Sequence, residues 1–291
     1  MLDGQYALDG FLFGRAEDAV TVLTGGLDTP SYEIRNQDTP APQGDSVFFG
    51  RDYLTPPTWT FTLAVKDDVN VYPVLNRLAT AWRADAKRTT PGALSTLTYM
   101  RNGEQRRVYG RPRQFTVDHG DVIDHTFKLV TATFTLADNF SYSEMEHSLT
   151  LDLVETSQED GLLFPADFPW EFVSDGFTRT GQITITASLP TPFIVKIAGP
   201  VTGQATNFSL RSTTGWQMDF GTYLSAHGNI RVDTSTGDVR RNSATFGGSI
   251  RQRADYRARL QPGPQELIFT ANDPTYTTSA TIRWRDVSPL Y

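Results

Sequence analysis

Cysteine is absent from all 291 residues, which removes disulfides, thiolate metal ligands and thiol nucleophiles together and leaves the chain compatible with either redox compartment. Stability has to come from packing or from assembly. Histidine is scarce: His119, His125, His147 and His227 include no pair at the i, i+4 spacing that sets two imidazoles on one helix face for a metal. Long apolar runs are missing as well. No stretch approaches the ~18–20 uninterrupted apolar residues of a membrane span. The start MLDGQYALDGFLFG has no basic segment ahead of an apolar run. Neither membrane insertion nor secretory export is expected.

The sequence also lacks G-x-S-x-G, G-x-x-x-x-G-K and any G-x-G-x-x-G after a strand, the elements on which a nucleophile elbow, a phosphate loop or a dinucleotide site is built. Carboxylate pairs such as Asp67 with Asp68 and Glu144 with Glu146 are ordinary among 33 acids. No catalytic group, cofactor or metal is expected. Positive charge is short too. Net charge is −7, with 14 Lys/Arg against 19 Asp/Glu through Glu146 and 12 against 14 beyond it. A nucleic-acid binder concentrates basic residues on one face to release counterions from phosphates, so specific nucleic-acid binding is not expected.

What is present is β-pattern. TWTFTLAV (58–65), STLTYM (95–100), HTFKLVTATFTL (125–136), QITITASL (182–189), FIVKIAG (193–199) and ATIRWRDV (280–287) alternate with the two-residue period of half-buried strands. One segment departs from it. In DDVNVYPVLNRLATAWRADAKR (67–88), Val71, Val74, Leu75, Leu78 and Trp82 recur every three or four residues, and Pro73 fits only a first turn. The spacing predicts one long helix near 71–87 whose stripe packs on a sheet. ETSQEDGLLFPADFPWEF (155–172) reads as a connection packed down through Phe164, Phe168 and Trp170. The length suits about two domains, expected at 1–146 and 147–291.

GNIRVDTSTGDVRRN (228–242) poses a choice between a cation loop and a turn. Counted from Asp233, a calcium loop would need oxygen ligands at its fifth position and a carboxylate at its twelfth, where this chain has Gly237 and Ala244. The flanking NIRV and DVRR alternate as strands, and Thr-Ser-Thr-Gly suits a hairpin turn. A hairpin is expected.

That hairpin belongs to a longer likeness. GPVTGQATNFSLRSTTGWQMDF, GNIRVDTSTGDVRRN, RLQPGPQELIFTA and ATIRWRDVSPLY, in that order, resemble the C-terminal half of the distal tail proteins of long, non-contractile-tailed phages, a Dit-like tail-tip and baseplate hub family. YALDGFLFG (6–14), GRDYLTPPTWTFTLAV (50–65), the helix, YMRNGEQRRVYGRPRQF (99–115) and ATFTLADNFSYS (132–143) fall in the order of that family's ring-forming domain. Asp138-Asn139 stands where the family commonly has Asp-Pro.

The resemblance implies a mainly β protein with one long helix: an N-terminal ring-forming β-sandwich or split barrel, then a galectin-like, carbohydrate-binding-module-like β-sandwich. It implies a hexameric ring in the virion at the tail tip, made in the host cytoplasm. The ring would join the tail tube to the central tip hub protein and to receptor-binding proteins. Host-surface glycans are a further partner if the sandwich acts as a carbohydrate-binding module, the alternative reading. A glycan-cleaving enzyme is a third and weaker one.

Two sets of residues are candidates for contact. Arg101, Arg106, Arg107, Arg111 and Arg113 fall within thirteen residues holding a single acid, Glu104. They suit either a solvated strand-and-turn face or an interface with a neighbouring subunit or the tube, Pro112 then marking an edge strand. Trp170, Trp216, Tyr223 and Tyr276 are the aromatics available to stack on a sugar, buried packing being the alternative.

Overall fold

Alternation of apolar and polar residues produces strands almost throughout. The computed structural model describes residues 1–43, 45–118, 126–153, 180–245 and 250–290. The chain divides into two units, Met1–Glu144 with Ser288–Tyr291, and Met145–Val287. This differs at the C-terminus from the expected 1–146 and 147–291. The closing strand pairs with a strand of the first unit, and nothing in a three-residue strand's own side chains announces its partner. His119 and His125 lie outside the described residues, and so do Phe164, Phe168 and Trp170 with the connection these three were to anchor.

The first unit contains β1 (Tyr6–Leu8), β2 (Phe11–Phe13), β3 (Val20–Asp28), β4 (Glu33–Arg35), β5 (Thr39–Pro40), β6 (Val47–Phe48), β7 (Tyr53–Thr55) and β8 (Thr58–Lys66). The helices α1 (Tyr72–Arg83) and α2 (Asp85–Arg88) come next, followed by β9 (Ser95–Arg101), β10 (Glu104–Val117), β11 (Phe127–Leu136) and β12 (Phe140–Ser143). The main sheet runs β2-β1-β9-β10-β11-β8-β3, with β12 beside β10 and the closing strand beside β12. The two ends of this sheet meet. Gly14, just past β2, bridges Thr21 of β3, accepting from Val22 N at 3.0 Å and donating to Val20 O at 2.8 Å. The result is a barrel split along one seam.

Its interior holds Phe13, Phe61, Leu63, Val65, Leu97, Val108 and Phe134, and α1 adds Val71, Leu75, Leu78 and Trp82. The predicted stripe therefore faces the core. Pro73 sits in the first turn of α1, where its missing N–H leaves no partner unserved. The helical segment expected near 71–87 is present, and Ala84 divides it with a left-handed φ of 44°. Neither Gly nor Pro marks that break. Asp85 follows it, accepting from Arg83 Nε and Arg88 Nη2, each at 3.0 Å.

The second unit contains β13 (His147–Asp152), β14 (Thr180–Ile185), β15 (Phe193–Ala198), β16 (Gln204–Ser212), β17 (Gln217–Ser225) and β18 (Asn229–Asp233). It continues with β19 (Asp238–Arg241), β20 (Ala244–Thr245), β21 (Ile250–Ala254), β22 (Gly263–Asn272) and β23 (Ser279–Trp284). The closing strand β24 (Val287–Pro289) follows. Two antiparallel sheets, β13-β23-β15-β18-β19-β20 and β14-β22-β16-β17-β21, form a sandwich. Val195, Ile197, Ile230, Val232 and Ile282 fill one inner face, and Phe208, Leu210, Met218, Leu267 and Phe269 fill the other.

The 228–242 stretch is the β18–β19 hairpin, in register from Ile230 opposite Arg241 to Asp233 opposite Asp238. Asp233 Oδ1 accepts from Ser235 N at 3.0 Å and from Ser235 Oγ at 2.5 Å. Gly237, at φ +78°, returns the chain and donates to Asp233 O at 2.8 Å. The Asp233 carboxylate is thus engaged in holding the turn.

Candidate functional site

The arginine run does not make one patch, because strand alternation splits it. Arg106 pairs across with Tyr99 and Arg107 with Thr98, so Arg106 shares the Tyr99 and Val108 face of the hairpin while Arg107 and Arg111 take the opposite one. Arg106 donates to Glu104 Oε2 at 3.1 and 2.7 Å and to Ser288 Oγ at 2.8 Å. Arg107 grips Glu144 with both Nε, at 2.9 Å, and Nη2. Burial opposes the Arg107 charge, but the Glu144 and Tyr109 contacts outweigh it and hold its pKa above the ordinary value. Arg111 donates to the carbonyls of Ala93 at 2.9 Å and Thr90 at 2.8 Å, fastening the loop after α2. Arg113 is exposed.

Pro112 stands where β10 has become a local edge, paired with β11 through Phe134 but with no strand on its other side. β10 lies between β9 and β11 and loses its β9 partner beyond Gly110. A bulge between Pro112 and Phe115 absorbs the residue that cannot donate. Replacing Arg107 by Ser should lower first-unit stability by about 1–2 kcal/mol, because it strands a half-shielded carboxylate whose bidentate partner is gone. Urea unfolding followed by circular dichroism checks this; an unchanged midpoint would return Arg107 to the solvated surface.

The aromatic set is dispersed as well. Trp216 is only 7% exposed and packs on Phe193 at 5.1 Å. Tyr223 is 49% exposed, with the Arg241 guanidinium over its ring at 4.5 Å. Tyr276 is half-buried in a tight turn at φ 52°. Trp170 lies outside the described residues.

A larger feature escaped the sequence reading. Within the first unit, residues 29–43 and 45–57 form an excursion between β3 and β8, although those two strands pair directly with each other, Asp28 opposite Thr60. The excursion is a two-stranded ribbon. Glu33 to Arg35 pair with Thr55 to Tyr53, and Thr39 and Pro40 pair with Phe48 and Val47. Asp38 Oδ1 accepts from Gly50 N at 3.0 Å, and Arg35 and Arg51 lie over the Tyr53 ring at 5.4 and 5.6 Å. Ile34, Val47, Phe48, Phe49 and Leu54 are all exposed, Phe49 by 87% and Phe48 by 64%. A bare two-strand ribbon is marginal in water, and contiguous exposed apolar surface marks an interaction site. The signal was there to find: apolar doublets and triplets punctuated by Pro, Gly and Asp, with no alternation that would bury them.

At the root of this arm lies a cavity of about 210 Å³ bordered by Tyr6, Tyr32, Trp59, Tyr99, Arg101 and Leu290. Its aromatic wall is preformed. Trp59 meets Tyr99 edge-on at 5.7 Å and Tyr6 stacks near Tyr99 at 6.4 Å, while the Tyr99 hydroxyl pairs with Ser141 Oγ at 2.7 Å. Burial pushes the Tyr6 hydroxyl pKa up, against the pull of Arg101.

No known family profile matches the chain, and no curated protein matches its sequence. Solved structures do match. The Dit protein of phage SPP1, described as a paradigm of the hub adsorption apparatus in phages infecting Gram-positive hosts, aligns over 98% of both chains at TM-score 0.57 and 14% identity. The fold is that of Dit. Chains of the phage P2 baseplate in its activated conformation agree, at TM-score 0.57 and 15% identity with calcium and 0.56 and 14% with strontium, each over 99% of both chains. In this chain the Dit fold carries its exposed apolar arm and its aromatic pocket on the same unit. Among its described residues no cluster of three His, Asp or Glu is placed to hold a metal, and no helix is long and apolar enough to cross a membrane.

Proposed function

We propose that this chain is a distal tail protein of a phage: a structural subunit that assembles as a six-membered ring at the tip of the tail. On this reading the ring joins the tail tube to the central tip protein and to receptor-binding proteins. The observation that carries the reading is the match to hub proteins from end to end, through both units and with neither chain left uncovered. A fold shared in only one unit would point to a common module, whereas agreement over the whole chain points to a common architecture.

The arm supports assembly independently, since its apolar side chains have no cover within their own unit and a ring of identical contacts would supply one. Such a role asks for surfaces rather than for reactive groups. Mass photometry of the purified chain should show a species at six times the chain mass. Replacing residues 33–55 by a short Gly-Ser link should leave a folded monomer. A wild-type chain that stays monomeric at every concentration and on tail-tube ends would overturn the reading.

A further inference from the structure

We infer that the arm of one copy docks on a second copy of this chain, seating Phe49 in the aromatic pocket bordered by Tyr6, Tyr32, Trp59, Tyr99, Arg101 and Leu290. The inference rests on the ring reading and names the contact that would close it. Phe49 is the most exposed large apolar side chain of the described residues, at 87%, and the pocket is a walled aromatic cavity. An aromatic side chain entering a preformed pocket is the usual anchor of an interface, because little ordering entropy is lost and ring pairs gain from edge and offset contacts.

Charge agrees with shape. Between Glu33 and Thr55 the arm carries four acids, Glu33, Asp38, Asp45 and Asp52, against Arg35 and Arg51, and Arg101 stands at the pocket, so docking brings a net acidic arm to a basic group. The arm does not fill its own pocket. At about 3.3 Å per residue, Phe49 lies roughly 20 Å out from the Glu33–Thr55 pair at the arm's root. Knob and pocket are therefore different surfaces of one unit, the head-to-tail arrangement that gives a ring when its rotation closes.

The absence of native cysteine allows a direct test. Ser31, exposed at the pocket rim, and Phe48, 64% exposed beside Phe49, are changed in separate chains, Ser31→Cys and Phe48→Cys, which keeps the Phe49 ring in place, then mixed under mild oxidation. The expected result is a covalent dimer that neither variant forms alone, and a ladder ending at ring size from the double variant. Phe48→Ser with Phe49→Ser, at positions outside the core, should keep the wild-type circular dichroism and lose the ring. A wild-type ring with no cross-link, or a serine variant that still assembles, overturns this docking while leaving the ring reading intact. A wild-type monomer with no cross-link overturns both, and an arm that instead cross-links only to the tail-tube protein overturns the second-copy occupant.

Discussion

Replacing Trp82 by Ala lowers the stability of the first unit by about 3–5 kcal/mol and its melting temperature by roughly 10 °C or more. Trp82 is 2% exposed and stands in the last turn of α1, where its ring meets Phe13 at 6.0 Å and Phe61 at 5.8 Å, both edge-on. Its Nε1 donates to Thr133 O at 3.0 Å. One side chain thus ties the helix to β2, β8 and β11. Truncation removes a large buried area, opens a cavity between elements that cannot collapse together, and frees a carbonyl inside the barrel. Trp82→Phe should cost less, about 1–2 kcal/mol, because the ring contacts survive and the hydrogen bond does not. Calorimetry of the full chain reads both variants. If Trp82→Ala costs under about 1 kcal/mol, α1 is not the element that fills the barrel.

Asp273→Ala should destabilise the second unit by roughly 3 kcal/mol or more. The Asp273 residue is 4% exposed, and its carboxylate organises the turn between β22 and β23 by accepting five hydrogen bonds. Oδ1 takes Thr275 N and Thr275 Oγ1, each at 2.8 Å. Oδ2 takes Thr277 N at 3.0 Å, Thr278 N at 2.9 Å and Thr278 Oγ1 at 2.8 Å. Removing the acceptor leaves three backbone donors and the buried Thr278 hydroxyl unserved, while Thr275 Oγ1 keeps its contact with Thr277 Oγ1 at 2.7 Å. Burial alone would raise the Asp273 pKa, but the donors prevail and hold it below the ordinary carboxylate value. A depressed pKa in the folded state contributes stability above the unfolded value, near 3.9, and loses it as pH falls through the folded one. The urea midpoint of the wild type should therefore drop below about pH 4 more steeply than that of Asp273→Asn, which has no charge there to lose. Parallel pH profiles for the two would remove the carboxylate from this role.

Sequence patterning was informative wherever burial decides the residue type. The inward alternation of Phe61, Leu63 and Val65 in β8 and of Val195 and Ile197 in β15 is legible because one face of each strand meets a core. The stripe from Val71 to Trp82 is legible for the same reason, and so is the Thr-Ser-Thr-Gly turn, whose conformation demands its residues. Motif order carried the resemblance to distal tail proteins further than any single motif did.

The tertiary structure decided the rest. Five arginines adjacent in sequence serve different ends, because alternate residues face opposite sides of a sheet and only the fold shows that Glu144 and the Ala93 carbonyl lie within reach of Arg107 and Arg111. The helix breaks at Ala84 with no breaker residue there. The C-terminal strand returns to the first unit because its partner, β12, is remote in sequence. The arm stayed hidden because its apolar residues are buried by nothing in their own unit. Periodicity records the faces a chain covers by itself, and the arm's apolar residues, from Ile34 to Leu54, lie outside that record.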